Sequence, residues 1–196
     1  DKKLIQQFKH DPADPFSLLD NNAVLFQNGG DTIWVRTSNG VRMLDKGKQQ
    51  FSWFGNGGGM KDSTGLGISN IIHDQQGFIW FGNWGKGLVR YNPEDNSIKH
   101  FLSIEHDSAT IASNFVNIIF QDQSRTLWAG GPGGLNRLDP KTGRFKRYMP
   151  GNFINSLYED SQGALWAGTE NGLFRYDPKN NQFSTFLDPQ SEINTS

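Results

Sequence analysis

Four tryptophans, each set in the same short motif, constrain this 196-residue chain more than any other feature. Each follows an Asp or Asn by six residues, and a Gly-Leu or Gly-Val pair comes shortly after it. The four are Trp34, Trp80, Trp128 and Trp166, at intervals of 46, 48 and 38 residues. Self-similarity at such a period indicates one supersecondary unit per repeat, stacked on its neighbours to bury a shared core.

The third repeat shows how one unit folds. Apolar stretches at 116–120, 127–129, 134–138 and 145–148 predict four short strands, which we call a to d. Asp-x-x-Gly sequences between strands a and b predict turns, because Asp accepts from turn amides and Gly adopts positive φ. Asp139-Pro140 ends strand c, since proline cannot donate to a β-ladder. Four antiparallel strands in about 40–50 residues predict a β-propeller blade.

The composition agrees with an all-β fold. Glycine (23), phenylalanine (15) and tryptophan (6) are abundant although only 35% of residues are hydrophobic, and no sustained 3.6-residue period predicts a helix. The net charge of −1 gives no reason to expect nucleic-acid binding. The chain has no cysteine, which excludes disulfides and thiolate metal ligands, and no apolar run of the roughly 18 residues that span a bilayer.

The predicted fold is therefore four four-stranded antiparallel propeller blades. The predicted boundaries are an orphan outer strand at 1–10, blade 1 at 11–54, blade 2 at 55–104, blade 3 at 105–148, blade 4 at 149–186, and a linker at 187–196. We expect the four repeat tryptophans to pack between blades, because a large ring on strand b buries much area there.

Spaced apolar pairs predict strand d in each blade: Phe51/Phe54, Phe101/Ile104, Phe145/Tyr148 and Phe183/Phe186. Ile5/Phe8 forms one more pair, with no strands a to c before it. Propellers close with about 4–8 blades. We therefore expect a segment of a larger ring of about seven or eight blades, or half of a ring formed by two chains, although four blades could also close alone.

The repeats resemble the two-component regulator propeller repeat, with the fullest match from Asp160 to Pro178. Blade 1 departs from the pattern at Asn28, Arg36 and Met43, and blade 3 departs at Arg125. The resemblance implies the periplasmic sensory part of a membrane-spanning bacterial regulator. Such regulators usually signal through a histidine kinase and sometimes through a cyclic-dinucleotide synthase, and several relatives sense oligosaccharides. The repeat motif is structural, so it transfers no catalytic residue.

Trp84, in the turn between strands b and c of blade 2, is the first candidate for ligand contact. This turn carries a one-residue insertion, and Trp84 lies off the repeat. Together with Asn83 and Lys86 it offers an aromatic ring, an amide and a cation, which suit a sugar ring or another planar ligand. The alternative is a surface or interface tryptophan.

Two further residues complete the predicted ligand-binding set. Arg36 replaces a glycine of the repeat and could bind an anionic group if it faces the propeller axis; a solvated arginine paired with a carboxylate is the alternative. His73 precedes the turn aspartate of blade 2. The glycine-rich loop at 55–67 lacks phosphate-loop spacing and is interpreted as a flexible connection. No catalytic residue, metal site or cofactor is predicted.

Three functions remain open. The first is a non-catalytic sensory segment that binds an oligosaccharide or other small molecule, pairs as a homodimer and continues into the rest of a sensor polypeptide. The second is a metal-dependent lyase resembling the streptogramin lyases, with a catalytic histidine that only His73 could supply. The third is a structural interaction scaffold. Neither nucleic-acid binding nor membrane insertion of this segment is expected.

Overall fold

The computed structural model describes residues 7–27, 32–52 and 67–186. In these ranges the chain forms four antiparallel sheets of four strands each and no helix. Every sheet has its strands in chain order, as in a propeller blade. Within the described residues, no helix is long and apolar enough to cross a membrane. The predicted all-β fold of four four-stranded blades is confirmed.

The strands of the four blades have the following bounds. Blade 1 comprises β1 (Val24–Gln27), β2 (Thr32–Thr37), β3 (Gly40–Asp45) and β4 (Gln50–Ser52). Blade 2 comprises β5 (Ile68–His73), β6 (Ile79–Asn83), β7 (Gly87–Tyr91) and β8 (Ile98–Phe101). Blade 3 comprises β9 (Ile118–Gln121), β10 (Leu127–Gly131), β11 (Gly134–Leu138) and β12 (Phe145–Tyr148). Blade 4 comprises β13 (Ile154–Glu159), β14 (Leu165–Thr169), β15 (Gly172–Asp177) and β16 (Gln182–Thr185).

The turn aspartates join each a–b turn to its tryptophan. Asp160 Oδ1 accepts hydrogen bonds from the backbone N–H groups of Gln162 and Ala164, each at 2.9 Å, and Oδ2 accepts from Trp166 Nε1 at 2.8 Å. The same indole–carboxylate bond joins Trp80 to Asp74 (2.6 Å) and Trp128 to Asp122 (2.8 Å). The constant six-residue interval between aspartate and tryptophan therefore has a direct physical cause.

Consecutive blades pack through continuous apolar clusters. Trp34, Trp80 and Trp128 are each at most 3% exposed and lie against residues of the following blade, as predicted. For Trp166 the prediction is wrong, because this ring is only partly buried and contacts Phe186 of its own blade. The inner strands adjoin in order, β1 with β5, β5 with β9 and β9 with β13. Among the described strands, no comparable packing joins β13 of blade 4 back to β1 of blade 1.

The outer strand of blade 2 differs from its predicted position. The predicted pair Phe101/Ile104 is wrong, because β8 ends at Phe101 and Ile104 is 59% exposed beyond it. The c–d turn has the same length as in blade 3, closed by Asn92 N to Ser97 O here and by Asp139 N to Arg144 O there. Ile98 therefore takes the place of Phe145.

The N-terminal segment docks on blade 1. Of the predicted orphan strand at 1–10, residues 1–6 lie outside the described ranges and residues 7–10 form no regular secondary structure. Phe8 contacts Phe51 edge-to-face with ring centroids 5.5 Å apart, much as Phe101 contacts Phe145 at 5.6 Å. The C-terminal linker and the loop at 55–66 also lie outside the described ranges.

Candidate functional site

The turn between β6 and β7 is the most distinctive surface feature of blade 2. Asn83 pairs with Gly87 across three loop residues, whereas the corresponding pair of blade 3, Gly131 and Gly134, encloses only two. Trp84 lies in this longer loop and is 60% exposed. The inserted residue therefore places a large apolar side chain in solvent, although the repeat tryptophan Trp80 is buried.

Backbone hydrogen bonds hold this turn against the segment that leads into blade 3. Trp84 N donates to Gly67 O at 2.9 Å, and the N–H groups of Gly85 and Gly87 both donate to Asn114 O. An antiparallel bridge then pairs Trp84 with Phe115. The turn is thus tied to neighbouring backbone on both sides, so the indole projects from a supported position.

Phe115 adds a second aromatic ring to the turn. Directly opposed residues of an antiparallel pair have Cβ atoms about 4.5–5.5 Å apart on one face. Phe115 is 53% exposed, whereas Val116 beside it is buried. Trp84 and Phe115, which we call the aromatic platform, therefore present two adjacent exposed rings. The sequence interpretation missed Phe115, although its alternation with the apolar Val116 could have signalled an outward side chain.

The two polar residues proposed beside Trp84, Asn83 and Lys86, differ in their exposure to solvent. Asn83 is 1% exposed, and its Oδ1 accepts a hydrogen bond from Lys86 N at 3.1 Å. Its backbone oxygen accepts from Val116 N. The Asn83 amide therefore shapes the turn from inside, whereas Lys86 is exposed on the loop and is available to a ligand.

Arg36 lies at the same end of blade 1 as the Trp84 turn of blade 2. It follows Trp34 by two residues, as Gly82 follows Trp80, and pairs with Val24 and Val41. The side chain is partly buried, and its Nε has no hydrogen-bond partner among the described residues.

His73 lies far from the aromatic platform. It pairs with Ile79 at one end of β5, whereas Ile68 pairs with Asn83 at the other end. Five residues of strand separate the two ends, which corresponds to about 17 Å. His73 therefore belongs to the a–b turn end of blade 2. The described residues include no group of three His, Cys, Asp or Glu side chains that could hold a metal ion.

A family model described as two component regulator propeller matches residues 148–171, which hold the start of blade 4 and the first part of its repeat motif. This match confirms the resemblance noted in the sequence. No curated protein matches the chain.

Solved structures resemble the chain over most of its length. The extracellular domain of a hybrid two-component system from B. thetaiotaomicron has a TM-score of 0.77 at 24% identity, covering 93% of this chain and 24% of its own. A second such extracellular domain from B. thetaiotaomicron has a TM-score of 0.66 at 26% identity, covering 94% of this chain and again 24% of its own. This chain therefore spans about a quarter of either structure.

The similarity extends to a propeller of another function. Virginiamycin B lyase from Staphylococcus aureus has a TM-score of 0.61 at 16% identity, covering 89% of this chain and 58% of the lyase chain. At that identity the likeness concerns the fold alone.

Proposed function

We propose that this chain, a propeller segment carrying a two-component regulator propeller repeat, is a non-catalytic sensory part of a bacterial two-component-type receptor. The repeat at 148–171 and the likeness to extracellular domains of two-component systems support this proposal. The proposed location is the periplasm, with the rest of the receptor polypeptide joined to this segment. The proposed ligand is an oligosaccharide or another small molecule.

The aromatic platform is the observation that carries the ligand-binding part of the proposal. Trp84 and Phe115 are exposed side by side on backbone that is held by hydrogen bonds to the carbonyl oxygens of Gly67 and Asn114. Pyranose rings have apolar C–H faces that pack on aromatic rings, and nearby polar groups then fix orientation. Lys86 on the same loop supplies such a group.

Tryptophan fluorescence tests this platform directly. Trp84 is far more exposed than Trp34, Trp80 and Trp128, so a sugar stacked on it changes the emission of an indole in water. In a titration with a panel of oligosaccharides, we expect a saturable emission change that Trp84→Ala abolishes and Phe115→Ala weakens.

Phe16→Ala is the matched control, because Phe16 is equally exposed at 53% in another part of the chain. If no saccharide of the panel binds, or if binding survives both Trp84→Ala and Phe115→Ala, the platform has no sensory role.

An uncovered apolar face on blade 4 supports pairing of two chains. In blade 3 the residues Trp128, Leu135 and Tyr148 are at most 6% exposed, because blade 4 covers them. Their blade 4 counterparts are uncovered. We call the open face the set Tyr158 (64% exposed), Trp166, Leu173 (46%) and Phe186 (50%).

We propose that blade 1 of a second copy covers this open face. In blade 1, Val35, Leu44 and Phe51 correspond by register to Ala129, Leu138 and Phe145 of blade 3. Within one chain these blade 1 residues are already buried beside Leu18 and Phe8, so the second copy would pack against blade 1 together with the N-terminal segment that docks on it. Those blade 3 residues receive the Trp80 face of blade 2. Two chains paired in this way continue an interface that the chain already uses three times.

Light scattering after size exclusion tests the pairing. A single chain has a mass of 22.0 kDa, and we expect about twice that value. Leu173→Glu in the open face should return the single-chain mass, whereas Leu102→Glu, exposed to a similar 44%, should leave the pair intact. A wild-type mass of one chain contradicts the pairing but leaves the aromatic platform untouched.

A metal-dependent lyase is the alternative function, and the likeness to virginiamycin B lyase is the observation behind it. It requires a divalent ion at the His73 end of blade 2. Metal analysis of the purified protein, followed by His73→Ala, distinguishes the two functions, because a stoichiometric ion lost in that variant would favour the lyase.

A further inference from the structure

The interface between blades 3 and 4 contains a closed polar network beneath the repeat tryptophan. Arg137 Nη1 donates to Tyr176 Oη at 3.1 Å and to Asn181 Oδ1 at 3.3 Å. The hydroxyls of Tyr148 and Tyr176 donate to the same Asn181 oxygen at 2.6 and 2.7 Å. Arg137 Nη1 and both tyrosine hydroxyls therefore have acceptors within this interface.

The equivalent position between blades 2 and 3 has the arginine without the network. Arg90 pairs with Trp80 as Arg137 pairs with Trp128. By the same register Phe101 replaces Tyr148, since they pair with Leu88 and Leu135. Blade 2 therefore keeps the arginine in the same register but lacks the first hydroxyl of the network.

The two remaining network partners are lost as well. Leu138 pairs with Phe145 as Tyr176 pairs with Phe183, so leucine stands where the second hydroxyl would be. Gly143 (φ 71°) holds the left-handed turn position of Asn181 (φ 52°), so the amide is also missing. Blade 3 thus offers the Arg90 guanidinium no acceptor where blade 4 offers Arg137 two.

Arg90 keeps only contacts with aromatic rings. Its Cζ lies 4.2 Å from the centroid of Phe78 and 5.8 Å from that of Trp80. Its guanidinium makes no hydrogen bond or ion pair among the described residues. Cation–π contacts hold the guanidinium over the rings but leave its N–H donors unsatisfied within the protein.

A cleft occupies the space that the missing side chains leave. It has a volume of about 460 Å³, and Arg90, Leu138 and Gly143 contribute to its lining. Small-molecule sites typically measure about 300–1,000 Å³. The cleft lies at the a–b and c–d turn end of the blades and is therefore separate from the aromatic platform on the b–c turn.

The charge around the cleft is strongly one-sided. Four cationic side chains line it, namely Arg90, Lys99, Arg125 and Lys141. None of them forms an ion pair within 4 Å in the described part of the chain. Arg125 is exposed in the a–b turn of blade 3, where the repeat usually has glycine.

The carboxylates near the cleft are already engaged. Asp74, the acidic residue of the lining, is 5% exposed, and its oxygens accept from two turn amides and from Trp80 Nε1. Asp139, adjacent in sequence to the lining, accepts from Lys141 N and Thr142 Oγ1. These bonds hold both carboxylates in their turns, and neither forms an ion pair with Arg90.

We infer that the cleft between blades 2 and 3 binds a small molecule carrying an oxyanion, a carboxylate, sulfate or phosphate group. Its oxygens accept from Arg90 as Tyr176 and Asn181 accept from Arg137, and Lys99, Arg125 and Lys141 supply the surrounding positive charge. Planar or tetrahedral oxyanions match the fork of guanidinium donors. This inference is independent of the aromatic platform and of the pairing of chains.

Sulfate is the simplest probe of such a site. We expect millimolar sulfate, at an ionic strength kept constant with NaCl, to raise the unfolding temperature of the protein in a saturable manner, because binding to the folded state stabilises it. Arg90→Met, which introduces the residue that blade 1 has at this position (Met43), should weaken the apparent affinity for sulfate at least tenfold.

The double variant Leu138→Tyr/Gly143→Asn tests the cleft without changing its charge. It restores the two acceptors of blade 4, and asparagine fits the left-handed turn, as Asn96 and Asn181 do at the equivalent positions. A Cβ on Gly143 would come no closer than 3.4 Å to its neighbours. We expect this variant to lose the saturable sulfate effect because Arg90 is then satisfied internally.

Arg175→Met is the control, because Arg175 is the corresponding arginine on the open face of blade 4 and lies 5.5 Å over Trp166. It should retain the sulfate effect. Absence of a saturable effect in the wild type, or an undiminished effect in both Arg90→Met and the double variant, overturns the inference.

Sugars identify the kind of molecule that carries the oxyanion. Glucuronate should stabilise the wild type in the same saturable way and compete with sulfate, whereas neutral glucose should not. Equal stabilisation by glucose and glucuronate would contradict an oxyanion site. The two sites can be tested separately. We expect Trp84→Ala to lose oligosaccharide binding at the aromatic platform but to keep the sulfate effect at the cleft between blades 2 and 3.

Discussion

Ile154 of blade 4 lies against the backbone of Gly130 in blade 3, so that a Cβ on Gly130 would come within 2.8 Å of Ile154 Cβ and Cγ2. Ile154 is 0% exposed, and Gly130 follows the repeat tryptophan Trp128 by two residues. The repeat therefore has glycine at this position because the neighbouring blade leaves no room for a side chain. Its counterpart in blade 4, Gly168, faces no further blade among the described residues, and a Cβ there would meet only Ser156.

Gly130→Ala should destabilise the protein by about 1–3 kcal/mol, because overpacking forces backbone or side-chain shifts. Gly168→Ala is the matched control and should cost less, since the Ser156 hydroxyl that it meets can rotate away. Equilibrium urea unfolding measures both values. An equal cost for the two substitutions would mean that the Ile154 contact does not decide the need for glycine.

Buried Asn136 joins the lead-in segment of blade 3 to its sheet. Its Nδ2 donates to Ala129 O at 2.9 Å, and its Oδ1 accepts from Ala112 N at 2.8 Å. Asn136→Leu leaves a buried carbonyl and a partly buried N–H unsatisfied, so we expect a loss of about 2–4 kcal/mol in the free energy of unfolding. Asn155→Ala on exposed β13 should change it by less than about 0.5 kcal/mol. Chemical denaturation followed by circular dichroism compares them.

Asp160 gives the stability of blade 4 a dependence on acid. Hydrogen bonds from the Trp166 indole and from the Ala164 amide lower the pKa of this carboxyl. A lowered folded-state pKa means that the stabilisation is present above the unfolded value of about 3.9 and is lost as the pH falls through the folded value. We expect Asp160→Asn to reduce stability at neutral pH and to flatten its decline between about pH 5 and pH 3.

The measurement is the unfolding midpoint as a function of pH for wild type and Asp160→Asn. Glu170→Gln, an exposed carboxylate in the next turn, should leave the profile unchanged. Parallel profiles for wild type and Asp160→Asn would show that this carboxylate does not couple stability to pH.

Asn181 is the shared acceptor of the polar network between blades 3 and 4. Asn181→Gly removes the oxygen to which Tyr148, Tyr176 and Arg137 donate, and we expect a loss of about 1–3 kcal/mol. Burial raises the pKa of Tyr148, and its hydrogen bonding with Tyr176 adds to this rise. In Asn171→Gly, an exposed turn position, stability should change little. Thermal unfolding measures the loss of stability, and ultraviolet titration of the tyrosines measures the pKa of Tyr148.

The blades themselves could be predicted from the sequence, because their determinants are local. The alternation of apolar residues, the Asp-x-x-Gly turns and the Asp-Pro stops act within a few residues, and they placed nearly every strand. The outer strand of blade 2 was the exception. Phe101 is the same residue type as Phe145, but Ile98 occupies the position in blade 2 that Phe145 occupies in blade 3. A residue type alone did not reveal the register of that strand.

The candidate sites depended on tertiary structure, because each combines residues of different blades. Trp84 was visible in the sequence as a residue off the repeat, but Phe115 lies beside it only through a bridge between blade 2 and the lead-in of blade 3. Arg90 and Arg137 look identical in the repeat. Whether each finds an acceptor is decided by the following blade, which offers Leu138 and Gly143 to one and Tyr176 and Asn181 to the other. The sequence by itself thus determined the repeated unit. The packing of one blade on the next decided which side chains are exposed and which donors lack an acceptor.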